Sequence, residues 1–167
     1  MTTSIHPDPS PTASPIDLQM MQRALAQAHL AAQAGEVPVG AVIYRGDEIL
    51  AQTHNLREAH ADPCAHAEIL ALRQAAIRVG SWRLVGCSIA VTLEPCPMCA
   101  GALVNARVDR LVYGAPDPKM GSVKTLHQLC TDTRFNHRLQ VIEGVLADPC
   151  GQVLKVFFQQ RRGGTNG

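Results

Sequence analysis

Cys87-Ser88-Ile89-Ala90-Val91-Thr92-Leu93-Glu94-Pro95-Cys96-Pro97-Met98-Cys99 is the stretch that decides the architecture. Residues 87–93 are a short apolar run that reads as a buried strand, and residues 96–105 read as a short helix. The chain repeats this alternation on either side. Upstream, residues 39–44 and 49–53 read as strands joined by a tight turn at Arg45-Gly46-Asp47-Glu48, a hairpin. Asp62-Pro63 opens a helix that carries Ile69, Leu70, Leu72 and Ile77 and stops at Gly80. Before the hairpin, Ser14 is suited to cap a helix with Pro15 at its first position and Asp17 three residues past the cap. Leu18, Met21, Leu25, Ala28 and Ala32 then recur at helical spacing until Gly35. Downstream, residues 110–114 and 139–146 read as strands. Residues 149–160 read as a closing helix bearing Val153, Leu154, Val156, Phe157 and Phe158. The expected fold class is therefore α/β: a three-layer α/β/α sandwich whose mixed central sheet, of about five strands, is opened by an antiparallel hairpin.

Length and composition set the frame. A chain of 167 residues, 46% hydrophobic, is one domain able to bury a sizeable core, which excludes disorder for most of it. The proline-rich residues 1–14, set among Ser, Thr and Asp, are expected to form a disordered tail, with residues 15–162 as the folded domain and 163–167 as a flexible C-terminus. No apolar run reaches the roughly 18 residues of a membrane span. The N-terminus has neither the basic residues nor the apolar core of a secretory signal, so a cytoplasmic location is expected. In that reducing compartment, six cysteines are thiols or metal ligands before they are disulfides.

The net charge of +1 excludes a protein that is basic all over, but it hides an asymmetry. Residues 1–100 carry 6 Lys+Arg and 9 Asp+Glu, a net of −3, whereas residues 101–167 carry 9 and 5, a net of +4. An anionic partner is therefore expected on the C-terminal half.

Two motifs carry chemistry: His66-Ala67-Glu68 at the second helix and Cys96-Pro97-Met98-Cys99 at the third. Cysteines three apart on the first helical turn can reach a single ion, and the exposed N–H groups there favour thiolate over thiol. A lone Cys-x-x-Cys is also compatible with a redox dithiol or half of a structural zinc site. The second Cys-x-x-Cys that would complete the latter is absent, and the redox reading leaves His66 and Glu68 unexplained. One histidine and two cysteines leave the fourth tetrahedral position to water, the pattern of a catalytic zinc, with Glu68 beside it as a proton carrier. Thiolate and imidazole ligands favour zinc over iron. Spacing alone does not settle the set, because residues two apart on a regular helix do not face each other. Cys64 lies as far before His66 as Glu68 lies after it and stands as a competing ligand. Cys87, Cys130 and Cys150 read as small apolar residues.

Together, His66-x-Glu68 and Pro95-Cys96-x-x-Cys99 resemble the signature of the zinc-dependent nucleoside and base deaminases of the cytidine deaminase superfamily. Within it the chain is most similar to the bacterial tRNA-specific adenosine deaminases. Residues 36–42, Asn55, and residues 65–69, 92–96, 98–102, 136–138, 143–148 and 157–158 carry the likeness. The resemblance implies a cytidine deaminase-like fold and one zinc per subunit held by His66, Cys96 and Cys99, leaving Cys64 outside. It also implies Glu68 as the acid/base, Asn55, Val37 and Asp117 as substrate contacts, and a homodimer. The implied reaction is hydrolytic deamination of adenosine to inosine at the wobble position of an arginine tRNA. On that resemblance, zinc-bound hydroxide would attack C6 of the flipped adenine and ammonia would leave. The implied partner is the tRNA anticodon stem-loop, which Arg161 and Arg162 at the end of the closing helix are placed to meet. Pro116 and Pro118 around Asp117 depart from the family pattern, stiffening that loop and removing one possible phosphate contact.

Two other functions compete. A small-molecule deaminase for guanine, cytosine or a nucleotide fits residues 95–99 almost as well, but needs no basic surface. A non-catalytic zinc subunit typically lacks the glutamate that stands at Glu68.

Overall fold

The computed structural model describes residues 12–164. Residues 1–11 of the expected tail and 165–167 of the expected C-terminus lie outside the described residues. In chain order the elements are α1 (Pro15–Gln33), β1 (Gly40–Arg45), β2 (Glu48–His54), α2 (Arg57–His60), α3 (Ala67–Val79) and β3 (Ser88–Leu93). They continue with α4 (Pro97–Asn105), β4 (Arg110–Ala115), a 3-10 turn at Leu129–Thr131, β5 (Gln140–Ile142) and α5 (Ala147–Gly163).

The five strands form one sheet in the order β2-β1-β3-β4-β5. β1 runs antiparallel to β2 and to β3, whereas β3, β4 and β5 are parallel, so the sheet is mixed and the hairpin closes one edge. Side chains alternate across it, as the period of two along a strand requires. Ala41, Ile43, Ile89, Val91, Leu111 and Tyr113 face α3 and α4, where they meet Ala71, Ala75, Leu103 and Val104. Val42, Tyr44, Ala90 and Val112 face the other way, onto Met20, Met21 and Ala24 of α1 and Cys150 of α5. This is the three-layer α/β/α sandwich expected from the sequence. Among the described residues no helix is long and apolar enough to cross a membrane.

The capping box expected at Ser14 is present. Asp17 N–H donates to Ser14 Oγ at 3.2 Å and Ser14 N–H donates to Asp17 Oδ2 at 2.8 Å. Asp17 also does something no local pattern announces. Its fully buried carboxylate accepts Tyr44 Oη–H at 2.7 Å and both Arg110 terminal nitrogens, at 2.8 and 2.7 Å, fastening α1 to β1 and β4. Burial alone would raise its pKa, but the Arg110, Ser14 and Tyr44 bonds outweigh that and hold it well below the usual carboxylate range. α1 lies directly on the start of β1: a Cβ at Gly40 would stand 1.9 Å from Ala24 O, so only glycine permits the approach.

Three elements depart by more than two residues from the bounds read in the sequence. The second helix begins at Ala67, not at Asp62-Pro63, because Asp62 Oδ1 accepts Cys64 N–H at 2.8 Å and turns the chain locally; the single turn α2 precedes it. The last strand is only Gln140–Ile142, since Gly144 and Leu146 take positive φ values of 77° and 53°. α5 accordingly starts at Ala147, before Pro149, and runs to Gly163. The buried stripe of α1 also differs: Met20, Met21, Ala24, Ala28 and Ala31 are covered, while Leu18 is 42% exposed.

Candidate active site

His66 and Cys96 occupy equivalent positions, each the N-cap residue of a helix that packs on the same sheet face. Both have extended backbone, with ψ of 151° and 174°, and neither side chain caps its own helix. That resolves the spacing question. His66 lies outside the helical repeat, so it and Glu68, in the first turn of α3, need not point apart. The start of α3 is tied to β2 by Thr53 Oγ1, which donates to Ala67 O at 2.7 Å. Pro97 opens α4 at a position where the missing N–H costs nothing, and Cys99 follows in the first turn.

His66 Nδ1 lies 3.6 Å from Cys96 Sγ and 3.5 Å from Cys99 Sγ, and the three donor atoms lie within 4.8 Å of one another. For a tetrahedral zinc with Zn–S and Zn–N distances of about 2.3 and 2.0 Å, the N···S edge is about 3.5 Å, so the donor set fits that ion. The protonation pattern agrees. Cys96, hydrogen-bonded by Cys99 and by His66, falls to about 4, while Cys99, the donor to it, is pushed up. Two sulfurs this close share one negative charge, and a divalent cation removes the restriction. Cys64 is exposed and outside this group; Cys87, Cys130 and Cys150 are buried in the two cores.

Glu68 is 3% exposed, and burial raises its carboxyl to about 7, against the opposing pull of its own backbone N–H and of His66. A group poised there both accepts and releases a proton near neutrality.

These residues open into a cavity of about 220 Å3, whose lining includes Val37, Asn55, His66, Glu68, Cys96 and Asp117. The candidate substrate contacts thus share a cavity with three of the four chemical residues; Cys99 lies beneath, fully buried. Asn55 is fixed at both ends of its amide: Nδ2 donates to Val37 O at 3.2 Å, and Oδ1 accepts Arg57 N–H at 3.2 Å. Arg57, Glu94 and Met120 also line the cavity and were not singled out in the sequence. Glu94 carried a signal: a charged residue between a buried strand and a Cys-x-x-Cys must have its carboxylate satisfied. Arg57 and Met120 carried none, since their segments have no periodicity.

The basic residues of the +4 half fall in several places. Arg110 is bound to Asp17, Arg134 to Asp132 and Lys124 to Glu143. Lys119, Lys155, Arg161 and Arg162 line one hollow with Phe158, and the Arg161 guanidinium also lies over the Phe157 ring.

Comparison with known proteins places the chain. It matches the MafB19-like deaminase family over residues 16–162. It is 49% identical over 142 residues to the tRNA-specific adenosine deaminase of Bacillus subtilis (strain 168), covering 85% of this chain and 88% of that one. It is 44% identical over 156 residues to the tRNA-specific adenosine deaminase of Haemophilus influenzae, covering 93% and 90%. A solved structure from studies of A-to-I editing by tRNA:A34 deaminases at the wobble position superposes with a TM-score of 0.79 at 38% identity, covering 81% of this chain and 99% of that one. The fold and the site define a deaminase. The chain belongs to the family of tRNA-specific adenosine deaminases.

Proposed function

We propose that this protein is a zinc-dependent cytoplasmic hydrolase, a homodimer with one zinc per subunit, that converts adenosine to inosine at the wobble position of an arginine tRNA anticodon. The observation that carries the reading is a buried carboxylate, Glu68, in one cavity with His66 and Cys96, above Cys99. His66 Nδ1, Cys96 Sγ and Cys99 Sγ would hold the ion, which when bound lowers the pKa of a water towards 7. Glu68 takes a proton from the attacking water and passes it to the leaving amino group. A C6–O bond forms, the C6–N bond breaks, ammonia departs and the base becomes hypoxanthine. Asn55, Val37 and Asp117 meet the flipped nucleoside, Asn55 being held ready by its bonds to Val37 O and Arg57 N. The hollow of Lys119, Lys155, Arg161 and Arg162 suits the phosphates of the anticodon stem, with Lys119 two residues from Asp117 at the cavity wall.

The test pairs two substrates. Purified protein with zinc should form inosine in an anticodon stem-loop whose wobble base is adenosine and leave free guanine, cytidine and adenosine largely untouched. Ammonia released from guanine with an unmodified stem-loop would make it a small-molecule deaminase instead.

A further inference from the structure

Glu94 follows the last residue of β3 and is 1% exposed, a costly place for a carboxylate unless hydrogen bonds replace its hydration. The donors that replace it all come from one segment. Oε2 accepts the backbone N–H groups of Val123, Lys124 and Thr125 at 3.2, 3.2 and 3.1 Å. Oε1 accepts Asp117 N–H at 3.4 Å and Thr125 Oγ1–H at 2.5 Å. The adjoining Pro95 O accepts Ser122 N–H at 2.9 Å. Residues 116–128 form neither helix nor strand, so this carboxylate stands in for the ladder that the segment lacks. The fit is close: a Cβ at Gly121 would lie 2.3 Å from Glu94 Oε2 and 2.5 Å from Asp117 O. Asp117 Oδ1 in turn accepts the N–H groups of Lys119 and Met120, at 2.9 and 3.3 Å. Asp117 and Met120 line the cavity, and Lys119 lines the basic hollow.

We propose that Glu94 is a positioning residue for the RNA substrate: its carboxylate fixes residues 117–125 so that Asp117 and Met120 meet the flipped base while Lys119 meets a phosphate. The role rests on the wobble-adenosine reading. It goes beyond stability, because the segment held is the one that joins the cavity wall to the basic hollow.

The experiment compares Glu94→Gln, Thr125→Val and Gly121→Ala with the unmodified, zinc-loaded protein. It follows a synthetic wobble-adenosine stem-loop by inosine formation and by fluorescence anisotropy, and the amides of residues 123–125 by hydrogen exchange. For Glu94→Gln, KM and the stem-loop Kd should rise about tenfold, kcat should stay within about twofold, and the amides should exchange about tenfold faster, with zinc content unchanged. Thr125→Val should move the same quantities by about threefold, and with Gly121→Ala it decides the matter if Glu94→Gln does not fold. Unchanged exchange overturns the clamp. Faster exchange with unchanged KM and Kd reduces Glu94 to a purely structural residue and overturns the positioning role, as does a loss confined to kcat with loss of zinc. If the unmodified protein makes no inosine, the wobble reading fails by itself, and the exchange and Kd comparisons still decide the role of Glu94.

Discussion

His66, Cys96 and Cys99 stand where α3 and α4 leave their preceding loops against the sheet, whereas Asp117 and Met120 stand on a segment with no regular structure, fastened by the side chain of Glu94. The floor of the cavity takes its precision from backbone hydrogen bonds within helices whose buried faces pack in one core. The rim takes its own from a few side-chain bonds. The difference matches the demands on each region. A metal site tolerates little displacement of its donors, and helix ends supply it. A surface that must receive and release an RNA loop is better placed on a segment whose fastening can be tuned separately.

The comparison can be broken at the floor first. Cys99→Ala removes one of three donors from a fully buried position and should lower zinc affinity by more than about 100-fold, with activity falling in parallel; metal analysis and inosine assay check it. Zinc retained by that variant would mean the floor is built differently. Changes at the rim should be milder and of another kind. Asp117→Ala removes the acceptor of Lys119 and Met120 N–H and should raise KM for the stem-loop about five- to tenfold, leaving zinc content intact. Smallest for catalysis is a change to the scaffold that neither region touches. Asp17→Asn breaks the pairing with Arg110 and should cost about 2–3 kcal/mol of stability at pH 7, while activity per folded molecule stays unchanged. The sign with pH follows from the depressed carboxyl. Its contribution is complete above the unfolded value of about 4 and is lost as pH falls below it, so wild type and variant should converge in Tm in acid.

The floor was largely legible in the sequence; at the rim Asp117 was reached only through the family resemblance, and what fastens it was not legible, for a physical reason. His66-x-Glu68 and Cys96-x-x-Cys99 are fixed in spacing because each spans one helix start, and the alternation of strand and helix signals around them gives the layered sheet. What local pattern cannot give is the partner of a distant polar group. Asp17 reads as a capping residue, which it is, but its bonds to Tyr44 and Arg110 join positions far apart in the chain. Glu94 is passed over for the same reason, since its donors lie 23 to 31 residues away. The helix expected from Asp62 and the strand expected to Leu146 overran because a side-chain turn at Asp62 and positive φ at Gly144 and Leu146 outweigh the apolar pattern around them.

The most direct test of the account is Glu68→Ala, assayed for bound zinc and for inosine in the same preparation. The account predicts one zinc per subunit in both proteins, with inosine formation in the variant reduced by about 10²- to 10⁴-fold or more. A variant that loses its zinc, or that keeps its zinc and still makes inosine at the wild-type rate, would contradict the assignment of Glu68 as the proton carrier beside the His66, Cys96 and Cys99 site.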